Sequence, residues 1–112
     1  DLPILCICYG LHLLVHHNGG AVNSTGKGEY GFAEVDFTKG HAITENMSDT
    51  SNVWMSHMDQ VTKVPDGWEV IAISAYGVVA GLINKEQNKI ATQFHPELSG
   101  DLWQQFMINF FK

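Results

Sequence analysis

The spacing of hydrophobic residues changes several times along the chain, and each change predicts a different element. Residues 3–8 form an unbroken apolar run, the pattern of a strand covered on both faces in a parallel sheet. Tyr9-Gly10 reads as a sharp turn. Leu11, Leu14 and Val15 then recur at helical spacing over residues 11–17. Asn18-Gly19-Gly20 ends that helix, because glycine accepts the left-handed conformation at a helix C-terminus. Residues 22–34 are rich in glycine and polar side chains, which predicts loops and short strands, while residues 32–37 alternate as a strand does. Residues 41–52 read as loop with a short helical turn, and 53–55 as a strand. After the turn signal Pro65-Asp66-Gly67, Trp68, Val70 and Ala72 alternate with Glu69, Ile71 and Ile73. Strands over 78–84 and 89–94 are joined at Lys85-Glu86-Gln87-Asn88, and 102–111 is an amphipathic helix. No repeat, low-complexity segment or linker interrupts the pattern. The sum is a three-layer α/β domain with a hairpin-rich section along one edge.

Composition narrows the function. The chain has 112 residues, enough for one small domain, with 45% hydrophobic and 16% charged residues. A formal charge of −6 argues against a nucleic-acid partner, which needs a basic face. The apolar run from Leu2 to Val15 is broken by Gly10 and His12, is too short to span a bilayer and has no basic residues before it, so neither a membrane segment nor a signal peptide is expected. Cys6 and Cys8 lie two apart on one strand and are poorly placed to bridge, and two free thiols point to a reducing, cytoplasmic setting. The chain opens inside what reads as a core strand, so an N-terminal portion of the domain is expected to be missing from it.

The chemistry starts at Cys8, where a buried strand turns abruptly into a helix. Such an elbow aims a side chain out of the sheet at the positive end of the helix, a position expected to lower a thiol's pKa. The next backbone N–H, from Tyr9, lies where an oxyanion would form. A buried, inert thiol is the competing reading. Gln93-Phe94-His95-Pro96-Glu97 follows the last strand and puts His95 on the rim where open α/β sheets place ligands. Glu97 is close enough to orient the imidazole, so Cys8, His95 and Glu97 can form a Cys–His–acid relay. Alone, His95 and Glu97 would read as an exposed turn pair. Cys6, Cys8, His12, His16 and His17 cluster in sequence, but their spacing fits no known zinc motif, and no metal is expected.

Residues 3–12 resemble the nucleophile motif of class I (triad-type) glutamine amidotransferases, and residues 93–97 resemble their histidine–glutamate motif. Val53-Trp54-Met55-Ser56-His57-Met58-Asp59-Gln60-Val61 is similar to the segment lining their glutamine pocket. With residues 27–32 and 65–72, the nearest resemblance is to the amidotransferase domain of GMP synthases. This implies a flavodoxin-like three-layer fold and glutamine as substrate. Cys8, His95 and Glu97 would be catalytic, Tyr9 would donate to the oxyanion, and Gly10, His12, Ser56, His57 and Asp59 would bind substrate. No cofactor is implied in this domain. ATP and Mg2+ belong to the implied partner, a synthetase domain or subunit that aminates xanthosine monophosphate (XMP).

The chain departs from the family pattern at points near the nucleophile. Cys6 stands where glycine is usual and could crowd the elbow. His12 replaces a glutamine of the substrate site. Met58 replaces a glycine and would be strained if φ there is positive. The family's half-sheet before the nucleophile strand, with its second oxyanion donor, has no counterpart in the chain. These departures keep two alternatives in view: a catalytically impaired binding or regulatory module, and another class I amidotransferase.

Overall fold

A computed structural model describes residues 2–98 and 100–111. The order is β1 (Ile4–Ile7), α1 (Tyr9–His17), β2 (Ala21–Phe37), a 3-10 turn at Ala42–Thr44, β3 (Thr50–Lys63), β4 (Glu69–Ser74), β5 (Val79–Asn84), β6 (Lys89–Thr92), a second 3-10 turn at Pro96–Leu98 and α2 (Asp101–Phe110). The strands form one mixed sheet in the order β1-β6-β5-β4-β2-β3. β1 runs parallel to β6, and the other pairings are antiparallel.

Successive side chains on a strand point to opposite faces, and the packing follows that rule. Cys6, Leu82 and Ala91 pack with Leu11 and Val15 of α1. Their sequence neighbours Leu5, Ile83 and Ile90 pack with Phe106 of α2. The helices therefore cover opposite faces, which gives the expected helix–sheet–helix layering. The side chain of Asn109 ties α2 down by donating to the carbonyls of Ile43 and Glu45.

Several elements differ from the reading of the sequence. Residues 22–34 are not loops and short strands but part of the 17-residue β2, continuous with the strand expected at 32–37. β3 likewise extends well beyond 53–55 on both sides. Together they make a long ribbon, registered from Ala21↔Lys63 to Asp36↔Thr50, with a register shift between Ser24 and Glu29. Cross-strand pairing overrides the low strand propensity of the glycine-rich segment. Gly28 is required there, since a Cβ would lie 2.7 Å from the His57 carbonyl oxygen and 2.6 Å from the Tyr30 ring. In β4 the simple alternation fails, because a register shift between Val70 and Ala72 lets both Ile71 and Ala72 point into packed surroundings. β1 is covered on both faces, by α1 over Cys6 and by α2 over Leu5. It lies at the end of the sheet, with Ile4 43% exposed.

Candidate active site

Cys8 sits between β1 and α1 with φ 55° and ψ −109°. Side chains rarely occupy that region, and holding one there costs about 1–3 kcal/mol. The surroundings enforce the bend. The Cys8 N–H donates to the Thr92 carbonyl at 2.7 Å, and its own carbonyl accepts from the Leu11 N–H at 3.0 Å. Gly10, in the first turn of α1, passes close to β1: a Cβ on it would be 3.3 Å from Cys6 Cβ. The Cys6 side chain is thus accommodated because its neighbour has none.

The Cys8 thiol donates to the Ser56 carbonyl at 3.5 Å, and the Gln93 side-chain amide approaches the sulfur at 4.0 Å. The expected lowering of the thiol's pKa does not hold. Burial pushes it above its ordinary value, the Tyr9 backbone N–H that bonds the sulfur partly opposes this, and the Glu97 carboxylate adds to the rise. One helix N-terminus is outweighed by desolvation together with a nearby negative charge. Cys6 is also pushed up, chiefly by burial, with Lys89 opposing.

His95 N–H donates to the Trp54 carbonyl at 2.9 Å, joining the β6 rim to β3. Its Nδ1 lies 3.0 Å from Glu97 Oε2. A carboxylate only accepts, so Nδ1 carries hydrogen, and in the neutral ring Nε2 is the basic nitrogen. The short turn at Pro96–Leu98 places Glu97 beside both the imidazole and, electrostatically, Cys8. The structure therefore gathers Cys8, His95, Glu97 and the Tyr9 N–H around one rim.

The other anticipated residues divide. Ser56 is exposed and contributes its carbonyl to Cys8. Asp59 is exposed, and its carbonyl accepts from His57 Nδ1 at 2.9 Å. His12 and His57, anticipated as substrate-binding, are 9% and 5% exposed and have internal partners. His12 Nε2 meets Gln93 Oε1 at 2.6 Å, and His57 Nε2 meets Glu29 Oε1 at 2.8 Å. Met58 is not strained: it lies within β3 and is not among the positive-φ residues.

Gln93 and Glu29 were not singled out from sequence. Both lie within the motif segments at 93–97 and 27–32, but their contacts span 85 and 28 positions, so local sequence gave them no role. A cavity of about 540 Å³ along the ribbon is lined by Gly28, Glu29, Tyr30, Phe32, Gln60 and Tyr76, and includes none of Cys8, His95 or Glu97. Among the described residues no His/Cys/Asp/Glu group could hold a metal, and no helix is long and apolar enough to cross a membrane.

A strained cysteine at a strand–helix elbow and an acid-paired histidine on the neighbouring strand's end thus share one rim of an α/β sheet. The family model for class I glutamine amidotransferases matches residues 1–112, and the chain belongs to that family. It is 40% identical over 107 residues to the GMP synthase [glutamine-hydrolyzing] of Aquifex aeolicus, covering 96% of this chain and 21% of that protein. It is 42% identical over 97 residues to the enzyme of the same name from Brachyspira hyodysenteriae, covering 87% and 19%. The chain thus spans about a fifth of the length of these relatives. Among solved structures it is similar to a putative GMP synthase subunit from Thermoplasma acidophilum, with TM-score 0.85, 30% identity and coverage of 98% and 58%. A glutamine amidotransferase from Thermotoga maritima shares the fold at TM-score 0.78 and 20% identity, with coverage of 95% and 45%.

Proposed function

We propose that this chain hydrolyses the side-chain amide of glutamine through a Cys8 thioester, and that the ammonia serves amination of XMP to GMP by an ATP-dependent synthetase domain or subunit. The observation that carries the reading is the convergence of the strained Cys8 with the His95–Glu97 pair. Because the thiol is pushed up, ionisation depends on a base. His95 Nε2 takes the thiol proton as sulfur attacks the amide carbon. Tyr9 N–H, already directed at the sulfur, donates to the developing oxyanion. Ammonia leaves with the proton from His95, and a thioester remains. Water then attacks it, His95 accepts a proton, and glutamate departs as the thiol is restored. Glu97 holds the imidazole tautomer throughout. Gly10, Ser56, Asp59 and the buried His12 and His57 shape the glutamine pocket around this rim. ATP and Mg2+ act in the synthetase, and this domain needs no cofactor.

Similarity to GMP synthases supports the choice of acceptor. The test is glutamate release by the full-length protein, with and without XMP and ATP, alongside Cys8→Ala. Release should rise when XMP and ATP are present and vanish in the variant. Release indifferent to XMP and ATP would redirect the reading to another amidotransferase acceptor, and release surviving Cys8→Ala would end it.

A further inference from the structure

A buried polar chain runs from α1 to the Cys8 sulfur through a residue the mechanism above does not use. Gln93, at the end of β6, is fully buried. Its side-chain oxygen lies 2.6 Å from His12 Nε2, and its nitrogen lies 4.0 Å from Cys8 Sγ. An amide oxygen only accepts, so His12 Nε2 must carry the hydrogen. With the oxygen committed to His12, the amide can only present N–H to the sulfur. The reversed amide would face the sulfur with its carbonyl, which suits a thiol but repels a thiolate.

We propose that Gln93 stabilises the Cys8 thiolate by donating an N–H to it, and that His12 is the positioning residue that holds Gln93 in the donating orientation. The inference rests on the reading of Cys8 as the nucleophile. At 4.0 Å the contact with the neutral thiol is weak, but hydrogen bonds to an ionised partner are roughly twice as strong as neutral ones, and more so where water is excluded. The interaction therefore favours the ionised state selectively. Other groups around the sulfur include the Tyr9 N–H, the Ser56 carbonyl and the Glu97 carboxylate, which itself binds His95, the base of the proposed mechanism. Of these, Glu97 opposes ionisation and the Tyr9 N–H assists it. Gln93 and His12 form a second assisting arm, separate from the His95–Glu97 pair. In this account His12 replaces substrate contact with control of the nucleophile.

The test is the pH dependence of Cys8 alkylation by iodoacetamide, followed on the Cys8 peptide by mass spectrometry in the full-length protein carrying Cys6→Ser. Gln93→Met, similar in shape but without the N–H, should move the midpoint up by about one pH unit, slowing alkylation below the midpoint about tenfold. His12→Leu should move it up by a smaller amount, and His12→Gln, which can still donate to the Gln93 oxygen, should restore it. A merely structural role would not move the midpoint selectively in this way. An unmoved midpoint in Gln93→Met overturns the proposal. So does a His12→Gln midpoint displaced as far as that of His12→Leu, and this pair decides the matter if Gln93→Met does not fold. Glutamate release that survives Cys8→Ala removes the proposed function alone, because the alkylation midpoints are read without glutamine.

Discussion

The corner formed by β1, α1 and β6 and the ribbon formed by β2 and β3 solve different problems with different means. The corner is short and tightly bent. It places a side chain at φ 55° and brings Thr92, Gln93 and Cys8 into contact. The ribbon is long and regular, and it contributes backbone carbonyls to the site: Ser56 to the thiol and Trp54 to the His95 N–H. Side-chain identity matters most in the corner, whereas in the ribbon it matters chiefly where identity sets register. The corner carries backbone strain at Cys8, and the ribbon carbonyls of Ser56 and Trp54 brace the segments on either side of it.

The sharpest way to break the comparison is at the corner. Cys8→Ala should lower glutamate release at least about a thousandfold, since it removes the group that forms the covalent intermediate, and its fold should remain intact by circular dichroism. Glu97→Gln should cost roughly 10- to 100-fold in kcat with a smaller change in KM, because it loosens the imidazole, even though it also removes a charge that raises the thiol. A ribbon variant should act on stability instead. Gly28→Ala should cost about 1–3 kcal/mol in urea unfolding, as its methyl meets the His57 carbonyl and the Tyr30 ring. Strain at the elbow can be read by comparing two inactive proteins: Cys8→Gly should be about 1 kcal/mol more stable than Cys8→Ala, because only glycine adopts this backbone without penalty. The smallest effect is on pH. Both thiols have raised values in the folded state, so the unfolded chain releases their protons first. Their contribution is fully present below the ordinary thiol range and is lost as pH climbs through the raised values. The fall in thermal midpoint over that alkaline window should flatten in Cys6→Ser.

The same contrast explains what could be read from the sequence. At the corner, the apolar run, the glycine after the elbow and the helical spacing of Leu11 and Val15 are local signals, and they located Cys8 correctly. Strands β5 and β6 and helix α2 were legible for the same reason. The ribbon was not. Its glycines and polar residues imitate a loop, and only pairing with β3 makes β2 a strand. At the site, the His95–Glu97 contact spans two positions and was foreseeable. The rise in the Cys8 pKa was not, because burial and the approach of Glu97 arise from tertiary packing. The internal partners of His12 and His57 depend on register between distant segments, which no local pattern encodes.

The parallel pairing of β1 with β6 also has a kinetic consequence. Cys8 and Gln93 are 85 positions apart, whereas the hairpins between them form from near neighbours. Closing so long a loop carries an entropic penalty before any contact rewards it, and such non-local pairings slow folding. The surroundings of the sulfur should therefore assemble after the intervening hairpins, and the reactivity of Cys8 would serve as a clock for the completion of folding.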